Sequence, residues 1–429
     1  VLRGNALGVF FVALSTLMLE ITLTRIFSVT LWYHFGALAV SLAMFGIGAS
    51  GVFIYVLPGR FRPEALGRQL PVLSTLFGIS IPICFFVQLR IPFVPVLSLA
   101  SLAGLALLYV VTAVPFFLSG LCISLIFTHR PAQIGKLYFM DLIGAGLGCL
   151  FAVIAMSVLS APNVVLLSAV LAGIGGVAFA SAAGRAPVRR ILVICLVLAA
   201  LIPLNAQRNL FGLEFVKGKT YEQPEYERWN AYAYVGIWGA TAKKRPFGWG
   251  MSRTWEGSVP RERIVRIDAG AATVITEFKG DLDEVQHLKY DVTSIGHYLF
   301  QDHSVLIIGA GGGRDILAAL ALGAGSVAGL EYNASIVEAV SGPYKEFSGD
   351  VYDLHGVRKI IAEGRSYAHS SADSFDMIQA ALVDSWAASA SGAFVMAENF
   401  LYTKEAFVTF LDRLTDNGLL SITRFNLPQ

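Results

Sequence analysis

The sequence predicts two fold classes in one chain. A membrane bundle of about seven helices comes first, followed by an α/β domain of the Rossmann type with a small β-rich lead-in. Three observations predict this. Residues 1–205 are a series of long apolar runs whose acids are mainly Glu20, Glu64 and Asp141. Residues 301–429 alternate short apolar runs with helical patterns, the signature of a parallel sheet. Between the two, residues 206–300 are polar and aromatic. The boundaries expected from composition are therefore 1–205, 206–300 and 301–429.

Composition supports this division. Of 429 residues, 55% are hydrophobic and 14% charged, and the mean hydropathy is +0.64. That value is too high for an ordinary soluble protein. The net charge of +2 comes without a basic run, so no nucleic-acid partner is expected. Cys84, Cys122, Cys149 and Cys195 all lie in apolar stretches and form no CxxC pair. They predict buried thiols, with no disulfide framework and no metal site. The chain starts at Val1, which predicts residues upstream. The first apolar run is too long for a cleavable signal, and more runs follow it.

A membrane helix needs about 20 apolar residues. The runs that qualify are 5–27, 34–57, 70–89, 102–127, 137–159, 162–183 and a shorter one at 189–204. The stretch "IPFVPVLSLAS" (91–101) is short and proline-rich, and reads as a re-entrant or interfacial piece. "FGIGASG" (45–51) and "DLIGAGLGCL" (141–150) supply small residues, with Gly144 and Gly148 in GxxxG register. Such faces pack helices closely in lipid. A substrate path along them is the alternative.

Basic residues sort by loop. Arg60, Arg62 and Arg68 share one side with Arg130, Lys136, Arg185, Arg189 and Arg190, while the other side has little beyond Arg90. The positive-inside rule makes the loaded side cytoplasmic. Seven spans then place the chain from residue 206 outside the cytoplasm, and an even count would reverse this. Glu20, Arg25, His34 and Asp141 lie in or at the edges of spans. Charged groups there face an interior, either as structural pairs or as a proton or amine pathway.

In the lead-in, "AYAYVGIWG" (231–239) and "ATVITEF" (272–278) alternate like antiparallel strands. Beyond it, "VLIIG" (305–309), "SVAGL" (326–330), "KIIA" (359–362), "FDMIQAAL" (375–382) and "GLLSITRF" (418–425) read as five strands, with helices at 314–322 and 404–415. The chain ends just past the fifth strand. This fold usually adds two more, so a longer protein or a shortened sheet is expected.

The first strand runs into Gly309-Ala310-Gly311-Gly312-Gly313, and a helix starts near Arg314. Glycines let a backbone turn tightly and approach a ligand beyond the strand ends. The spacing is GxGxG, with Arg314 where a dinucleotide loop has its third glycine, and no P-loop lysine follows. The second strand ends in Glu331, placed to accept hydrogen bonds from a ribose diol. The third ends in Glu363 and Gly364, where an acid faces an adenine amine. Asp315 is either a ligand contact or an acid favoured by the helix dipole. Asp376 is expected to close the fourth strand. Together the strand-end residues predict a nucleoside site.

The glycine loop, "GLEYNASIV" (329–337), "AEGRSY" (362–367) and "FDMI" (375–378) resemble the catalytic domain of spermidine synthases, a branch of the S-adenosylmethionine-dependent methyltransferase fold. "LKYDVTSIGHYL" (288–299) is similar to the segment that precedes that family's first Rossmann strand. "LEITLTRIFSV" (19–29), "YHFGALAVSLAMFGIGASG" (33–51) and "KLYFMDLIGAGLGCL" (136–150) resemble the multispanning half of membrane-fused spermidine synthase-like proteins. The resemblance implies an integral protein of a bacterial inner membrane. It also implies S-adenosylmethionine or its decarboxylated form as donor, with a small amine as acceptor.

Asp291 takes the place of a family glutamate near the donor. In the family an aspartate-rich loop follows the fourth strand and handles the attacking amine. Here that loop is "AALVDSWAASASGAF" (380–394), with Asp384 as its one carboxylate. Asp384 is therefore the expected catalytic acid or base. Its displacement and the missing proline leave the acceptor open. Trp386 lines an acceptor pocket or the core, and Tyr290 and Tyr402 are candidates for the amine gate.

The leading reading is thus an amine-directed transferase, with plain methyl transfer as the nearest variant. A second reading is transport or binding, with a soluble half that senses a nucleoside or is inert. A third is a structural subunit of a larger membrane complex.

Overall fold

The computed structural model describes residues 2–31, 35–94, 98–184, 188–240, 246–383 and 400–424. Among them the chain divides into two compact units. One holds the residues up to 223 together with 229–232, and the other holds 224–228 and the rest from 233 onward. The lead-in therefore splits, its first part joining the helices and its larger part the parallel sheet.

The first unit is helical. Its elements are α1 Leu2–Thr30, α2 Gly36–Val56, α3 Leu66–Gln88, α4 Leu99–His129, α5 Ile134–Val158, α6 Ala161–Ala183 and α7 Val188–Arg208. All seven are long and apolar enough to cross a membrane. Prolines 58, 63 and 131 open short 3-10 turns between helices, where a missing N–H costs nothing. Pro71, Pro82, Pro115 and Pro203 lie inside helices, which packed apolar helices tolerate.

Small residues set the helix contacts. Gly144 and Gly148 of α5 lie against the carbonyls of Phe10 and Leu14 of α1. Numbers rise together, so these helices are parallel. Gly46 meets Ala113 and Phe116, and Gly120 meets Ile47 and Ser50, which makes α2 and α4 parallel too. Gly4 of α1 meets Ala182, and Gly8 meets Phe179, so α6 is antiparallel to α1. Gly78 of α3 meets Ala169 while Gly176 meets Thr75, and Gly173 meets Cys195 of α7 while Asn163 meets Asn205, so α3 and α7 also oppose α6. His129, at the end of α4, reaches Phe61 O just before α3 at 2.9 Å, so α4 opposes α3, and odd-numbered helices run one way and even-numbered ones the other.

Ser15 and Ser74 bridge to α6 by donating to the carbonyls of Ser168 and Ala172, each at 2.7 Å. The Arg25 side chain is fully buried, while His34 lies outside the described residues. The proline-rich piece does not form an additional crossing among the described residues. Residues 91–94 are irregular, and Leu99 already starts α4, with Ser98 as its cap accepting from Ser101 N at 3.1 Å. After α7 a small hairpin, β1 Phe215–Val216 and β2 Lys219–Thr220, donates from Lys217 N to Thr30 O at 2.6 Å.

The second unit opens with a four-stranded sheet. Its strands are β3 Tyr226–Trp229, β4 Tyr234–Ile237, β5 Glu262–Ile267 and β6 Ala271–Thr276, in that order. Positive φ at Asp268 and Ala269 gives the hairpin turn a twist that suits its strands. Two 3-10 segments follow, Leu282–Tyr290 and Val292–Leu299.

Then come β7 His303–Ile308, α8 Arg314–Ala321, β8 Ala324–Glu331, α9 Ala334–Ser341, α10 Lys345–Ser348, β9 Val357–Ile361, α11 Gly364–Ser370, β10 Phe375–Ala381, α12 Lys404–Leu411 and β11 Leu414–Thr423. The five strands form one parallel sheet in the order β11-β10-β7-β8-β9. The order reverses between β7 and β10, which is the switch point where such sheets take ligands. Asp376 ties three strands together. It accepts from Ser304 N and Oγ of β7 at 2.9 and 2.8 Å and from Thr415 Oγ1 of β11 at 2.9 Å.

The expected helix at 404–415 stops at Leu411, because Leu414 already pairs with Phe375 in the sheet.

Candidate functional site

The site is built on the ends of β7, β8, β9 and β10. After Ile308 the chain turns through Gly309, Gly311 and Gly313 at φ of +77°, +54° and +88°, values that favour glycine. Gly309 N and Ala310 N both donate to Leu330 O, at 2.8 and 2.9 Å, which fixes the turn to the end of β8. From below, the buried Tyr352 hydroxyl donates to Gly311 O at 2.7 Å, and burial pushes its phenol well above the ordinary range.

Glu331 is buried beside this turn. One of its carboxylate oxygens accepts from Gly311 N at 2.9 Å and the other from Asn333 N at 2.8 Å. Burial raises its pKa, and the backbone donors oppose that shift. A carboxylate has about four acceptor positions, and the backbone N–H groups of Gly311, Tyr332 and Asn333 fill most of them and fix its orientation. Glu363 has a different setting. It caps α11, accepting from Arg365 N at 2.9 Å and from Ser366 N and Oγ at 2.7 Å. Gly364 next to it is packed against Ile308 and Leu401.

The glycine turn is less open than its sequence suggests. Gly311, Gly312 and Gly313 are buried, and only Gly309 is half-exposed. Strand β6 lies over the turn, so a side chain at Gly312 would collide with the carbonyl of Val274. One at Gly309 would collide with Val383, just past β10. Leu382, beside it, has φ of +52°. A non-glycine residue in this region is uncommon, and here it stands at the switch point where the chain leaves β10.

Behind the turn lies a buried ion-pair cluster. Arg314 forms a close pair with Asp291 and a second with Asp315, at 3.2 Å. The Asp291 side chain has no exposed surface and also accepts from Trp249 N at 2.9 Å and Gly250 N at 3.1 Å. Burial raises the Asp315 pKa against the pull of Arg314. Beside the cluster, burial and then Arg314 push His287 down to about 4. Asp291 thus locks Arg314, and through it the start of α8, to the 249–250 backbone.

The pair Arg314–Asp291 escaped the reading of the sequence. Its signal was two charges in otherwise apolar surroundings, "GGRDILAALA" and "YDVTSIGHYL", which have to pair when buried. Asp384 and Trp386 lie outside the described residues. Tyr290 is exposed and sits beside Trp255, with ring centroids 5.1 Å apart. The Arg424 guanidinium lies over the ring of Tyr402 at 4.2 Å. No cluster of metal-ligating side chains occurs among the described residues.

Strand order, switch point and glycine turn define the class of the second unit, which is a Rossmann-like α/β domain that follows seven apolar helices along the chain. Two solved structures are similar to this chain. One is the spermidine synthase of Thermotoga maritima, and the other is a spermidine synthase in complex with the transition state analogue AdoDATO. Each is 17% identical over 47% of this chain, with a TM-score of 0.30. The chain spans only 55% and 57% of their lengths. No family model and no curated protein matches the chain. At that TM-score the likeness carries no argument about activity, and the fold class rests on the strand order.

Proposed function

We propose that the second unit transfers an alkyl group from a sulfonium nucleoside, S-adenosylmethionine or its decarboxylated form, to a small amine. The seven helices hold it in a membrane. One observation carries the reading. Glu331, at the end of β8, is oriented by the N–H groups of Gly311 and Asn333 next to the switch point. A fixed acceptor there suits a ribose diol.

In the transfer the amine's lone pair forms a C–N bond as the C–S bond breaks. The electron pair of that bond stays on sulfur, leaving a neutral thioether, and the nitrogen must lose a proton. Asp384, which follows Val383 at the end of β10, is the proposed acceptor of that proton. Asp291 acts at one remove, as a positioning residue through Arg314. The burial of Gly311–Gly313 under β6 favours a second reading, in which the unit binds a nucleoside without turnover.

Calorimetry with S-adenosylmethionine, its decarboxylated form and methylthioadenosine tests the site. Glu331→Ala is expected to weaken binding at least tenfold, in line with loss of about 1.5–3 kcal/mol of charged hydrogen bonds. Unchanged affinity in a folded variant overturns the nucleoside assignment. Asp384→Asn is expected to leave donor affinity intact and cut release of methylthioadenosine or S-adenosylhomocysteine at least a hundredfold. Donor binding without either product, over a panel of amines, decides for the second reading.

A further inference from the structure

The segment Val292–Leu299 presents an apolar face that the fold does not allow to turn inward. It is a 3-10 helix, in which residues three apart stack in a row. Val292, Ile295 and Tyr298 form such a row, at 49%, 65% and 60% exposure, with Leu299 beside them at 73%. The opposite side is pinned. Gly296 is packed against Met377 and Leu419. His297 is hydrogen-bonded at 2.8 Å to both His303 and Gln379. Ser294 Oγ donates to Leu288 O at 2.8 Å. Rotating the row out of water would break all of these.

No Lys, Arg, Asp or Glu occurs from residue 292 to 301. Tyrosines stand at both ends of the stripe, and Tyr298 holds its hydroxyl on Lys289 O at 2.9 Å. A short amphipathic segment with tyrosines and no charge on its apolar side is the composition that settles at a lipid–water boundary. The polypeptide that carries it also carries seven helices apolar enough to cross a membrane. Only residues 209–223 separate α7 from the second unit. So short a tether keeps the stripe at high effective concentration near a bilayer.

We propose that Val292, Ile295, Tyr298 and Leu299 form an interfacial anchor that inserts shallowly into a phospholipid surface.

The test uses the full chain in vesicles of phosphatidylcholine and phosphatidylglycerol. Nitroxides are placed at Ile295→Cys, Leu299→Cys and, as an exposed control, Glu346→Cys, and the unsubstituted chain is labelled in parallel as the blank. These positions are exposed, so the substitutions leave the packing intact. The expected result is open access of oxygen to the probes at 295 and 299, with collision rates with a water-soluble nickel chelate at least threefold below those at 346. Nickel access equal to the control overturns the proposal. So does shielding from both oxygen and nickel, which means that protein, such as a second copy of the chain, covers the stripe. Donor binding plays no part in this readout.

Discussion

His297 and His303 share a hydrogen bond in the second unit's interior, and their tautomers follow from it. His297 Nε2 faces Gln379 Oε1 at 2.8 Å, so it donates there. Its Nδ1 then accepts from His303 Nε2 at 2.8 Å. A proton added to His297 Nδ1 would face another donor. Burial is the main reason that His297 and His287 are held down to about 4, and it lowers His303 as well. Asp376 and Asp302 oppose the shift at His303.

Between about pH 6.5 and 4 the unfolded chain therefore binds more protons at His287 and His297 than the folded chain does. Stability is present above that window and falls as pH drops through it, by up to about 1.4 kcal/mol per pH unit for each ring. Pulse proteolysis in urea across pH 7 to 4 should show a steep loss of resistance. His287→Phe should make it shallower by about one proton. Arg314 offers a second residue-scale test. Removing it leaves the buried Asp291 and Asp315 uncompensated, so Arg314→Leu is expected to cost about 3–5 kcal/mol in the same assay.

At the scale of elements, backbone approach decides the packing. Leu14 O of α1 lies 2.5 Å from where a Cβ on Gly148 of α5 would stand. Any larger residue forces the two helices apart, and close packing of small residues is what holds such helices together in lipid. Gly148→Leu is expected to lower the thermal midpoint of the detergent-solubilised chain by several degrees, as an overpacking cost of about 1–3 kcal/mol would. Gly146, one turn-face away, has nothing within reach of a Cβ, so Gly146→Leu should leave the midpoint unchanged. The same logic operates over the glycine turn, where β6 leaves Gly312 no room for a side chain.

For the whole molecule, seven helices with alternating direction place the start of α1 and the end of α7 on opposite sides of the bundle. Arg3, Arg60, Arg62, Arg68, Arg130, Lys136, Arg189 and Arg190 gather on the side where α1 begins. We propose, on the positive-inside rule, that this side faces the cytoplasm. A reporter fused after residue 215 is then expected to be active only outside the cytoplasm. Activity confined to the cytoplasm would reverse the assignment.

The apolar helices and the parallel strands were legible in the sequence, because each depends on the composition of a single run. Seven lengths of oil and five short strands with a glycine break need no distant partner to be recognised. Their ends were less legible. The helix expected to reach 415 yields at 411 to strand pairing with Phe375, a contact that no local pattern announces. At the candidate site the sequence placed Gly309, Glu331 and Glu363 at strand ends, and spacing alone was enough for that. Only the tertiary structure decided what surrounds them. It sets β6 over Gly311–Gly313, joins Arg314 to Asp291, turns Glu363 onto its own helix, and faces Val292, Ile295 and Tyr298 outward. Such contacts join segments distant along the chain, and their energy comes from burying and pairing groups whose neighbours the linear sequence does not name.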